Sequence, residues 1–204
     1  PVWSPDGNHL AWLSMARDGY EADKTRLMLA QVQSADKVMV SGVEDLTASF
    51  KYNAASPVWD PASEKIYFSA LYEGVQGIFA ASLSGGISLV TKEGEWFDYE
   101  SPFAVLQDGG ILASRSSMDE PTELIAVASD GSSHKITDEN GHILSQLKSH
   151  KTESRIIKTV DGKDMQTWVL YPPEFDSTKV YPSILICLGG PQGTNSQSWS
   201  YRWC

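Results

Sequence analysis

Nucleophilic, metal and thiol chemistry each demand a recognisable grouping of side chains, and this sequence offers near misses. A serine nucleophile on a strained strand-to-helix elbow needs Gly-x-Ser-x-Gly; the nearest approach, Ser82-Leu-Ser-Gly-Gly86, lacks the first glycine. Aligned with the chain's own repeats it falls opposite Ala128-Ser-Asp-Gly-Ser132, whose Asp130-Gly131 is a hairpin turn. His9 precedes a strand, His134 and His142 flank the end of a repeat and His150 lies where the pattern changes, so each is expected to be solvated or locally hydrogen-bonded. No His or Cys pair has ligand spacing on a common element, and neither metal nor other cofactor is expected. Cys187 reads as a small buried thiol in an apolar strand, and with Cys204 it makes no disulfide framework.

Two groupings carry more promise. Leu188-Gly-Gly-Pro-Gln-Gly193 follows an apolar strand, and glycines let backbone N–H groups approach a ligand closely because no Cβ intervenes. A plain strand-end turn has the same composition. The second grouping is Arg17-Asp-Gly-Tyr-Glu-Ala-Asp23, part of a long connection between strands near Ala11–Met15 and Arg26–Val32. Its carboxylates suit a cationic ligand, or equally ion pairs with Arg17, Lys24 or Arg26. Asp119 and Glu120, before Pro121, read as a turn between strands.

The elements that must position these residues repeat along the chain. Pro57–Ser69 aligns without gaps to Pro102–Ser114, and Pro1–Leu13 is a third copy. The second halves repeat as well: Ile78–Thr91 aligns to Leu124–Thr137, and Leu27–Val40 fits the same frame. Each unit reads as four short strands, with turns at Pro5-Asp6-Gly7, Ser84-Gly85-Gly86, Asp108-Gly109 and Asp130-Gly131. Four strands at this period predict propeller blades, with Trp3, Trp12 and Trp59 buried at matching positions. A β-sandwich has no reason to repeat its sequence, and three blades cannot close a ring.

After Gly141 the pattern changes. Glu153–Val160, the turn Asp161-Gly162 and Met165–Tyr171 form a candidate hairpin outside the repeat. Lys179–Leu188 then runs into the glycines as a nearly all-apolar strand of the kind covered on both faces, which is how an α/β domain opens. The expected fold is therefore mainly β: blades of a partial propeller over residues 1–145, then the start of an α/β-hydrolase domain over 146–204. The absence of a leader at Pro1 and of a cap at Cys204 suggests a fragment.

Composition excludes several function classes. Seven Trp, eight Tyr and six Phe argue against a disordered chain. A net charge of −10 argues against nucleic-acid and anionic-membrane partners, both of which need a basic surface. No apolar run approaches the roughly 18 residues of a membrane helix.

Trp3-Ser-Pro-Asp-Gly7, Asp161-Gly162 followed by Trp168 and Pro172, Tyr181-Pro182 and above all Leu188-Gly-Gly-Pro-Gln-Gly193 together resemble the prolyl oligopeptidase family of serine peptidases. Met15–Asp23 and Ser116–Leu124 resemble its acylaminoacyl-peptidase and dipeptidyl-peptidase branch. The resemblance implies hydrolysis of short peptides by a Ser-His-Asp triad beneath a size-filtering propeller, and a periplasmic or secreted location. None of that triad is found in the sequence, so the remainder of the same polypeptide would supply it. By the same resemblance, Gly190 N–H is an oxyanion donor that Gly189 positions, and Leu188 stands where the family commonly has His or Tyr. Glu21 and Asp23 are candidates for holding a peptide's free α-ammonium. Two rivals stay open: a TolB-like propeller interaction module, which leaves the glycine loop unexplained, and an esterase on the same hydrolase scaffold. Oligomeric state is not legible.

Overall fold

The computed structural model describes residues 1–34, 37–190 and 193–202. It is mainly β, 45% strand and 2% helix, with no closed barrel among the described residues. Three four-stranded antiparallel sheets follow one another along the chain, each with its strands in sequence order. The first holds β1 (Val2–Trp3), β2 (His9–Ser14), β3 (Arg26–Ser34) and β4 (Val38–Asp45). The second holds β5 (Ala55–Trp59), β6 (Lys65–Tyr72), β7 (Val75–Ser82) and β8 (Ile87–Leu89). The third holds β9 (Asp98–Val105), β10 (Ile111–Ser117), β11 (Glu120–Val127) and β12 (Ser133–Lys135). A single turn of helix, α1 (Gly141–Leu144), leads to the hairpin β13 (Lys151–Lys158) and β14 (Asp164–Tyr171).

Turn chemistry closes the hairpins. The Asp6 carboxylate accepts Asn8 N–H at 3.0 Å, Asp108 accepts Gly110 N–H at 2.9 Å and Asp130 accepts Ser132 N–H at 2.9 Å. Hydrogen bonds from the Ser4 hydroxyl and the Asn8 amide hold the exposed Asp6 carboxyl down at about 2.

A second device recurs at the outer edge of each sheet. Leu27 N–H donates to Thr47 Oγ1 (3.0 Å), Ile78 N–H to Thr91 Oγ1 (3.4 Å) and Leu124 N–H to Thr137 Oγ1 (2.9 Å). The residue before each threonine donates its N–H back: Leu46 to Leu27 O (3.0 Å), Val90 to Ile78 O (2.8 Å) and Ile136 to Leu124 O (2.7 Å). The repeat frame expected at Leu27–Val40 is corrected here, because Thr47 and not Val40 occupies the threonine position. The β3–β4 hairpin of the first sheet is longer than its counterparts, and the extra length leaves Val38, Met39, Val40 and Val43 exposed.

Strand periodicity distributes the core to two layers. On β6 and β7, Ile66, Phe68, Phe79 and Ala81 face Ala11, Leu27 and Leu29 of the first sheet. Tyr67, Ile78 and Ala80 face Tyr99, Phe103, Ile111 and Ile125 of the third. The second sheet is therefore apolar on both sides. Trp59 is buried as expected, its Nε1–H reaching Val2 O at 3.3 Å, and Trp12 is half-buried. Trp3 is not buried: it is 54% exposed, because Val2 takes the core-facing position of β1 and alternation turns Trp3 outward. The first sheet covers Trp59, whereas no described sheet lies on the corresponding side of Trp3.

The hairpin expected near 153–171 forms, with eight paired positions from Lys151↔Tyr171 to Lys158↔Asp164. The apolar strand expected before the glycines does not. Residues 180–190 carry no strand, Ile184 is 91% exposed and Leu185 83%, and the thiol of Cys187 is exposed rather than buried. An all-apolar parallel strand is stable only between neighbours on both edges and faces, and no described residue pairs with it. Among the described residues no helix is long and apolar enough to cross a membrane.

Candidate active site

The glycine loop has a conformation that its composition requires. Gly190 has φ +140°, a backbone state that side chains rarely adopt. A Cβ on Gly193 would meet Gly189 O at 2.7 Å and the Leu188 side chain at 2.8 Å, so the loop closes on itself, whereas a Cβ on Gly189 would meet nothing. The N–H groups of Gly189 and Gly190 take no hydrogen-bond partner among the described residues. Pro191 and Gln192 lie outside the described residues.

The chain just after the loop is held from three directions. Trp168 on β14 donates Nε1–H to Asn195 O at 3.0 Å and meets Trp96 edge to face, with ring centres 5.1 Å apart. Asp98, the first residue of β9, is 3% exposed and accepts Gln76 N–H of β7 at 2.8 Å. The same carboxylate accepts the Ser196 hydroxyl and Gln197 N–H. Burial raises the Asp98 carboxyl above the ordinary range, against the pull of these donors. Gln197 is 2% exposed, and its Oε1 accepts Met118 N–H at 3.5 Å. Beside it opens a cleft of about 550 Å³ lined by Trp96, Phe97, Glu120, Lys135 and Thr152.

The acidic loop splits into two roles. Asp23 turns back on its own loop, taking Arg17 N–H at 2.8 Å and the Arg17 guanidinium at 2.5 Å, which lowers its carboxyl below the usual range. Arg17 also lies over the Tyr20 ring, 3.8 Å from its centre. Glu21 is exposed and has no hydrogen bond or ion pair among the described residues. No hydrogen bond or ion pair of the described residues joins this loop to the glycine loop: the former belongs to the first sheet, and the segment following the latter is tied to the second and third.

Sequence reasoning missed Asp98, Trp168 and Gln197, because their partners lie far away in the chain. It also missed a histidine–carboxylate pair: His150 Nδ1 lies 2.9 Å from Asp119 Oδ1, and the buried His150 Nε2 has no hydrogen-bond partner among the described residues. Among the described residues no cluster of three or more His, Cys, Asp or Glu could hold a metal ion.

No family model matches the chain. Curated relatives match all of it: it is 41% identical over 204 residues to dipeptidyl-peptidase 5 of Porphyromonas gingivalis and 25% identical over 212 residues to dipeptidyl-peptidase 5 of Schizosaccharomyces pombe. Over its full length the sequence is similar to dipeptidyl-peptidase 5. It spans 28% of the length of each of these relatives. Among solved structures, an acylaminoacyl peptidase bound to a chloromethyl ketone superposes with TM-score 0.74 at 20% identity, over 97% of this chain and 28% of the other. The acylaminoacyl peptidase of Pyrococcus horikoshii gives TM-score 0.65 at 17% identity, over 98% and 36%. At those identities the likeness is one of fold, and it extends over nearly the whole chain.

Proposed function

We propose that this chain is a segment of a serine exopeptidase that hydrolyses short peptides, of the dipeptidyl- or acylaminoacyl-releasing type, and acts in the periplasm or outside the cell. In this reading the three sheets are successive blades of a β-propeller over residues 1–145, and residues 146–204 open an α/β-hydrolase domain. The remainder of the same polypeptide supplies the serine, histidine and aspartate. Gly190 N–H donates to the oxyanion of the tetrahedral intermediate, which stabilises the transition state more than the ground state. Glu21 is the carboxylate that meets a free α-ammonium, and Asp23 shapes its loop through Arg17.

The observation that carries this reading is similarity to dipeptidyl-peptidase 5 over the whole chain, with the glycine loop included. The positive φ of Gly190 and its N–H, which has no partner among the described residues, support the same role.

The test uses the full-length polypeptide. It should react stoichiometrically with a serine-directed phosphonate and turn over dipeptidyl amides, while the 204-residue chain does neither. Gly190→Ala should lower kcat on the order of a hundredfold, because a Cβ drives the backbone from φ +140° and turns the N–H away, and one oxyanion donor accounts for roughly 10²–10³; Gly189→Ala, with open space around its Cβ, should do far less. Turnover of aryl esters without dipeptidyl amides would support the esterase reading instead, and phosphonate labelling of the 204-residue chain would refute the missing triad.

A further inference from the structure

From the geometry around Asp98 we infer that this residue positions the glycine loop, so that the sheets set the placement of the oxyanion donor directly; the inference rests on the function proposed above. The loop has one firm mooring. Upstream, residues 180–190 form no strand, and Tyr181, whose hydroxyl accepts Asp176 N–H at 3.0 Å, is tied only to its own neighbourhood. Downstream, Ser196 and Gln197 both donate to the Asp98 carboxylate, and Asn195 O takes Trp168 Nε1–H at 3.0 Å. Because Gly193 is seated against Gly189 O, movement at residues 195–197 reaches Gly190 across a loop that is already closed.

The chemistry of Asp98 suits that task better than the task of joining sheets. A bridge between the second and third sheets needs one acceptor for Gln76 N–H, which an asparagine would provide. Asp98 receives three donors, two of them from the segment behind the loop, and only a carboxylate offers acceptors on both oxygens. An asparagine at this position would turn an amide N–H₂ toward at least one of those donors. Such a clash displaces the loop by a fraction of an ångström to an ångström, and misplacement on that scale costs up to about a hundredfold in rate.

The experiment compares kcat and KM of the full-length enzyme with Asp98→Asn and, as a milder probe that leaves the Gln76 contact intact, Ser196→Ala. Expected is a fall in kcat of roughly tenfold to a hundredfold for Asp98→Asn and about threefold to tenfold for Ser196→Ala, with KM nearly unchanged and both proteins folded at the assay temperature. Trp168→Phe, which removes the indole N–H to Asn195 and trims the contact with Trp96, should fall in the same direction. If both Asp98→Asn and Ser196→Ala keep full kcat while merely losing thermal stability, Asp98 is a tie between sheets and the inference is overturned. If the parent enzyme hydrolyses no peptide at all, the proposed function fails first and takes the inference with it.

Discussion

The second sheet and the run before the glycine loop are both rich in Ile, Leu and aromatic or β-branched residues, yet they end in opposite states. Ile66 and Phe68 are 0% exposed, whereas Ile184 and Leu185 are 91% and 83% exposed. Hydrophobicity does not separate them. What separates them is where the partner strand lies: β6 turns through Glu73-Gly74 into β7, pairing Tyr72 with Val75 and then every residue back to Lys65 with Ser82. An antiparallel partner reached through so short a turn costs little loop entropy. A parallel strand reaches its partner only through a crossover of roughly a dozen residues or more, and the described residues contain none for 180–190.

The sharpest way to break this comparison is to cut apolar side chains from both regions and measure urea unfolding of the 204-residue chain. Phe68→Ala opens a cavity between the first two sheets and should cost about 3–5 kcal/mol. Ile184→Ser should cost close to nothing and should improve solubility, since the replaced side chain is already in water. A large loss at Ile184 would mean that the run is buried in solution and that the two regions fold alike.

The next effect isolates the threonine device. Thr47 is 0% exposed, and Thr47→Val leaves Leu27 N–H without its side-chain acceptor, at a cost of about 1–3 kcal/mol. The matching change Thr137→Val, at the less buried edge of the third sheet, should cost less in the same denaturation series. Equal costs would show that burial does not govern the device.

These examples also mark what the sequence discloses. Turn residues and alternation place most of the twelve sheet strands, because each hairpin's information sits within a few residues of its turn. Thr47 escaped because the longer β3–β4 hairpin defeats a gap-free repeat, although Leu46-Thr47, Val90-Thr91 and Ile136-Thr137 share an apolar-Thr pair that a gapped comparison would find. The glycine loop stood out in the sequence, although its composition alone is equally that of a strand-end turn. Its mooring did not, since Asp98 meets Ser196 and Gln197 from almost half the chain away, and no local pattern encodes such a pairing.

A smaller effect follows the Asp98 charge. Its carboxyl is raised by burial, so the native state holds the proton more firmly than the unfolded chain does. The associated stability is fully present below the ordinary value of 3.8 and is lost as pH rises through the higher native value. Asp98→Asn does not titrate. Plotted against pH, the stability advantage of wild type over this variant should therefore shrink as pH rises above 3.8. An advantage that grows with pH would mean that the three donors outweigh burial and that the carboxyl is lowered instead.

The smallest effect on folding concerns the loop between β2 and β3, which is exposed like residues 180–190 yet keeps its shape through its own contacts. Arg17 and Asp23 account for that shape, so Asp23→Ala should speed proteolysis within residues 15–23 while global unfolding barely moves, because such exposed ion pairs add little to stability. Glu21→Ala should leave both proteolysis and unfolding unchanged, since Glu21 holds nothing in place. In the full-length enzyme the two should then separate by substrate. Glu21→Ala raises KM for peptides with a free amino terminus and not for the same peptides acetylated there, because only the former present a cation to lose. Asp23→Ala raises KM for the free peptides too, by letting Glu21 wander. If the acetylated peptides suffer as much as the free ones, Glu21 does not read the ammonium, and the loop is only a charged surface turn.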